Sequence, residues 1–189
     1  MRGRDRIRPL VDVPDHGFGL LGSLAHSVLA EYASTTLSVP QLHLGQNTLP
    51  NPPFPLPTGI SFGYLMEEWE DSRDIAAFLQ TGVKALREQP IPDISAFTEE
   101  VRLLQRVLRF DSIAMAWRDR DRSAFSLVAL AVDRAGNCLA GGIPDGGTAA
   151  AIKITDKPPD ARDKCLATLL YELLQAQYDW TAAAFGLVP

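Results

Sequence analysis

The sequence predicts a single α+β domain over residues 1–189, with an antiparallel sheet of three to five strands, amphipathic helices mainly on one face, and a long C-terminal helix. Three observations carry this. From Phe110 to Thr155, apolar residues recur at every second position, through Ile113, Met115 and Trp117 and again through Phe125, Leu127 and Ala129, which is the period of a strand. Between Ser126 and Val132 both alternation sets are apolar, Val128, Leu130 and Val132 against Leu127, Ala129 and Ala131. A strand of this kind is covered on both sides and belongs at the centre of its sheet. Elsewhere, each strongly patterned segment carries one apolar stripe at helical spacing, so the sheet is the surface the helices cover.

Composition agrees with one soluble core. At 189 residues, 46% hydrophobic and 22% charged, the chain is long enough to bury roughly 70% of the surface its unfolded form exposes, without disulfides or metals. A formal net charge of −5 argues against a polyphosphate as main partner, because counterion release needs a dense cationic surface. The exception is residues 1–10, where Arg2, Arg4, Arg6 and Arg8 surround Asp5 in a basic arm, read as a flexible terminus. Cys138 and Cys165 form neither a disulfide framework nor a CxxC pair, which fits a reducing compartment and a cytoplasmic protein.

Taking the elements in order, Leu20, Leu21, Leu24, Val28 and Leu29 follow three-four spacing and predict a helix over 18–32. His26 shares the side of Leu29 and reads as a half-buried histidine. Gly22, Ser23, His26, Ser27 and Glu31 make this helix too polar to span a bilayer. Residues 37–58 hold Pro40, Pro50, Pro52, Pro53, Pro55 and Pro57. That density excludes helix interior and central strand, and the interleaved leucines favour a strap packed on the domain surface. Residues 60–66 alternate as a strand, and the acidic run Glu67 to Asp74 reads as a helix N-terminus favoured by the dipole.

Two helices follow, over 72–88 with Ile75, Phe78, Leu79, Val83 and Leu86, and from Ile94 to Leu108, joined as a hairpin across Pro90 and Pro92. After Trp117, the alternating charges Arg118 to Arg122 read as a hairpin loop. Gly136 marks a second turn, in the left-handed region. Gly141, Gly142, Gly146 and Gly147 bracket Pro144 and Asp145 as a wide hairpin turn before a strand over 149–155; a phosphate loop would need a following Lys-Ser/Thr pair and a helix. Pro158 and Pro159 then introduce a helix reaching Ala184. Its stripe of Leu166, Leu169, Leu170, Leu173 and Leu174 is broader than contact with one sheet requires. The excess predicts cover by the strap or by a partner.

No motif here requires a particular chemistry. His16, His26 and His43 lack the spacing that puts two imidazoles on one helical face, so no metal site is predicted, and no cofactor motif is present. Glu67, Glu68, Asp133 and Asp145 have no readable mutual placement. The sequence therefore favours a non-enzymatic protein that binds a protein partner or itself through acidic and apolar surfaces. Tyr178, Trp180 and Phe185 are the candidate contact residues, because aromatic side chains concentrate at interface hot spots. The competing expectation is a small enzyme with its site between the N-terminal helix and the sheet edge, built from His26 or His16 with Asp15, Cys138 or Asp145.

Overall fold

The computed structural model describes residues 18–34, 37, 40–45, 60–61, 74–91, 110–118, 125–156 and 161–184. They form α1 (Phe18–Tyr32), β1 (Gln41–Gly45), β2 (Ile60–Ser61), α2 (Ile75–Glu88), β3 (Ser112–Arg118), β4 (Leu127–Asp133), β5 (Cys138–Ile143), β6 (Lys153–Thr155) and α3 (Ala161–Ala184). The α+β class is the one the sequence predicts. All strand pairs are antiparallel, in the order β2-β1-β3-β4-β5-β6. Five strands have three residues or more, and the two-residue β2 completes one edge. Among the described residues, no helix is long and apolar enough to cross a membrane.

β4 is a doubly buried interior strand, as its two apolar sets require. Val128, Leu130 and Val132, with Ile113, Met115 and Trp117, pack under α3. Leu127, Ala129 and Ala131, with Ala114 and Ala116, pack under α1. Among the described residues helices therefore cover both faces, which corrects the arrangement with helices mainly on one face, and α1 is the second cover of β4. The breadth of the leucine stripe on α3 has the same kind of answer. α3 lies between the sheet and α2, so Leu166, Leu169, Leu170, Leu173 and Leu174 are all buried within the chain. Gly82 on α2 allows the close approach: a β-carbon there would sit 3.3 Å from a methyl of Leu173. Ile91 is the one large hydrophobic left exposed among the described residues.

Local chemistry sets the element ends. Asp74 caps α2, its carboxylate accepting from the amides of Ala76 at 2.9 Å and Ala77 at 3.3 Å, which satisfies N–H groups that have no intrahelical partner. The β4–β5 turn closes when the Gly136 amide donates to the Asp133 carbonyl, with Gly136 at φ 78°. The Asp133 carboxylate fixes the turn by accepting from the backbone and the side-chain amide of Asn137, at 2.8 and 2.7 Å. This is a three-residue hairpin whose final position needs glycine.

Three expectations change. Gln41–Gly45 is an interior strand inside the proline-rich stretch: it is itself free of proline, and it sends Leu42 and Leu44 into the core under α3. Gly141 and Gly142 belong to β5 rather than to a turn, and a β-carbon on Gly142 would come within 2.8 Å of the Phe125 ring. The turn is Pro144–Gly147, with Gly146 at φ 70°. Finally, Ala149–Ala151 is a 3₁₀ turn, and β6 begins only at Lys153. Alanine favours helical over extended backbone, whereas the Lys-Ile-Thr that follows contains two β-branched residues. The second helix of the expected hairpin, the charged loop 119–124, the acidic run Glu67 to Asp71 and most of the strap lie outside the described residues.

Candidate functional site: the groove beside α1

α1 has two stripes. Leu21, Ala25, Val28 and Leu29 are buried against the sheet. Next to them, Gly19, Gly22, Ser23, His26 and Ser27 repeat at the same three-four spacing but are small or polar, and they form one wall of an open groove of about 660 Å³. The other wall is the sheet edge: Leu139 from the start of β5, and Ile154, Thr155 and Asp156 from the end of β6. The glycines leave the groove open on the helix side. Nothing lies within 4 Å of a β-carbon built on Gly19, and Gly22 would make only an ordinary contact with Leu139 at 3.8 Å. Ser23 turns its hydroxyl back to the Gly19 carbonyl at 3.1 Å, which lowers its profile in the groove.

His26 is exposed here rather than half-buried, because the buried stripe runs through Ala25 and Leu29 and leaves position 26 on the flank. It shares the groove with Asp156. Cys138 is on the far side of the sheet: it is buried opposite Val132 under α3, so the sheet separates its thiol from His26. Asp145 is exposed in the turn after β5, at the opposite end of that strand from Leu139. Asp15 and His16 lie outside the described residues. The groove thus occupies the place expected for an enzyme site, between the N-terminal helix and the sheet edge, and of the expected residues that are described, His26 reaches it while Cys138 and Asp145 do not. Among the described residues, no three His, Cys, Asp or Glu side chains gather closely enough to hold a metal ion.

The other end of α1 carries the perturbed chemistry. His43 on β1 is 6% exposed, and its Nε2 lies 2.8 Å from the Tyr32 hydroxyl, with the rings edge to face. Burial pushes the Tyr32 hydroxyl up to about 12, helped by the charge of Glu31. Burial also holds His43 below the ordinary imidazole range, while Glu31 acts in the opposite direction. Both shifts favour the neutral forms. The Leu42-His43-Leu44 alternation carried the signal that this histidine faces away from the leucines, but the surrounding prolines masked the strand. Asp156 had no such signal, since its place depends on where β6 ends.

At the C-terminal end of α3, Tyr178 is buried, with the Arg134 guanidinium stacked 3.2 Å from its ring centre. Tyr171 reaches back from α3 and donates to the Arg134 carbonyl at 3.4 Å. Tyr178 is therefore engaged with its own chain. Trp180 is partly exposed, and Phe185 lies outside the described residues.

No family model, no curated protein and no solved structure matches this chain.

Proposed function

We propose that the protein acts by binding another protein or a second copy of itself, with the groove between α1 and the β5–β6 edge as its contact surface. The supporting observation is the shape and chemistry of that groove. It is open along the sheet edge, walled by two glycines, two serines, a threonine, Leu139 and Ile154, and carries one imidazole and one carboxylate. A wide surface that mixes apolar and polar groups suits a protein interface, whereas small-molecule sites enclose most of their ligand. The surface at the α3 end is narrower than the sequence suggested, because the leucines are buried against α2 and the sheet, and of Tyr178 and Trp180 it is Trp180 that keeps exposed surface.

Light scattering after size exclusion, combined with a photo-crosslinking residue placed at Ser27 or, as a control, at the exposed Lys84 on α2, tests the proposal. The expected result is an assembly heavier than the 20.6 kDa chain, or a discrete adduct with an added host extract, formed from Ser27 and not from Lys84. Trp180→Ala, in the same assay, shows whether the α3 end contributes. A strict monomer with identical crosslinking from both positions would sink the groove reading. A second reading, a small enzyme, rests on His26 and Asp156 lining the same groove. His26→Ala abolishing turnover of an acyl or phosphoryl ester panel would favour it.

A further inference from the structure

The last turn of α1 is tied to β1 by an unusual pair for an otherwise apolar face. Around His43, α1 contributes Tyr32 and Glu31, β3 contributes its register partner Ala114, and β2 contributes Ser61. Neither β3 nor β2 sets a titratable group opposite the ring. Its close polar contact is the Tyr32 hydroxyl at 2.8 Å, and the two ring centres are 5.4 Å apart at an interplanar angle of 60°. Glu31, the nearby carboxylate, is itself exposed, so water screens its help.

We propose that the Tyr32–His43 contact is an acid-opened latch that fastens the C-terminal turn of α1 to β1. In the latched form the neutral ring keeps its proton on Nδ1, and the tyrosine O–H donates to the lone pair on Nε2. A proton arriving on Nε2 removes that acceptor. The hydroxyl must then turn its proton away and accept instead, and a ring that is 6% exposed must carry a full charge with little water around it. Burial is the larger influence on His43 and Glu31 the smaller, so the balance favours the neutral, latched form. The sign follows. An opened His43 binds its proton near the ordinary value of about 6.5 before the latched one does. The latch therefore contributes fully above about 6.5 and is lost as the pH falls from there through the lower, latched value, weakening about tenfold for each unit between the two. This device does not depend on what the groove binds.

Amide hydrogen exchange on the full chain, at about pH 7.5 and about pH 5 on either side of the imidazole range and corrected for intrinsic exchange rates, reads the latch directly. Protection at Val28–Tyr32 and Leu42–Leu44 should fall on acidification relative to Val128–Val132, by at most about tenfold for each pH unit below about 6.5. His43→Gln retains an acceptor for Tyr32 but cannot titrate, so it should lose this difference. Glu31→Gln removes the opposing charge and should steepen it. Proton titration of the wild-type ring by NMR keeps the proposal testable if His43→Gln fails to fold. A His43 midpoint at or above 6.5 would overturn the latch, as would the same acid response in His43→Gln, or protection lost equally across β4.

Discussion

Among the described residues, one helix, α1, rests on alanines on one face of the sheet; on the other, α3 and α2 interleave with large side chains. Ala114, Ala116, Ala129 and Ala131 let α1 come close to the strands, so that Leu21, Val28 and Leu29 fill the space the small residues leave. The α3 face is built from Ile113, Met115, Trp117, Val128, Leu130 and Val132 against five leucines and a second helix. The groove, His26, and the Tyr32–His43 pair all belong to the α1 face, where one helix has flanks that no other described element covers. The α3 face carries the bulk of the core, with polar contacts of Tyr171 and Tyr178 to Arg134 beside the β4–β5 turn. Among the described residues, a sheet covered once on one side and twice on the other thus separates the surface available for contact from the mass that holds the fold.

The comparison breaks most sharply at Leu170, which is fully buried on α3, the helix between the sheet and α2. Leu170→Ala leaves a cavity in that layer and should cost about 2–5 kcal/mol, measured by urea or guanidinium unfolding. A loss under about 1 kcal/mol would mean that α2 collapses into the space and that the two helices are less tightly interleaved than described. Enlarging an alanine on the other face probes the opposite limit. Ala131→Leu pushes against α1 where there is no room, since Ala131 is 0% exposed; the expected cost is about 1–3 kcal/mol, and the crosslinking pattern at Ser27 should change as α1 is displaced. If stability is unchanged, the α1 layer is loosely packed.

Much of this architecture was legible in the sequence because it depends on local periodicity. The strands β3, β4 and β5, the helices α1, α2 and α3, and the glycine turn at 136 all follow from patterns within ten or twenty residues. Three things were not. β1 was hidden because its proline-free five residues sit among prolines, and what makes them a strand is pairing with β3, far along the chain. The groove was half visible: α1 shows a stripe of Gly19, Gly22, Ser23, His26 and Ser27, but its meaning depends on the sheet edge that lies opposite. Cys138 was misplaced as a partner for His26 because a one-residue step along a strand moves a side chain to the other face.

The smallest expected effect has the opposite sign. Gly22 is helical and has room for a methyl group, with Leu139 at 3.8 Å. Gly22→Ala should therefore stabilise the chain by about 0.5–1 kcal/mol through helix propensity, read as a rise in the unfolding midpoint. The same substitution narrows the groove. If it stabilises the fold and also weakens association, glycine at this position is explained by contact and not by folding. If it destabilises, α1 lies closer to β5 than described.

The order of the strands also has a kinetic meaning. β3, β4 and β5 follow one another in sequence and in space, and the β4–β5 turn spans only a few residues. β1, however, joins β3 only after the whole stretch between Gly45 and Ser112 has closed on itself. At about 0.6 kcal/mol for each doubling of loop length, that closure costs on the order of 2 kcal/mol more chain entropy than the short turn. The meander can assemble early, whereas β1 gains its place only against a surface that already exists. The β1 side of the sheet, which carries His43, is then the last part to form and the first to come away, so local opening there need not unfold the centre.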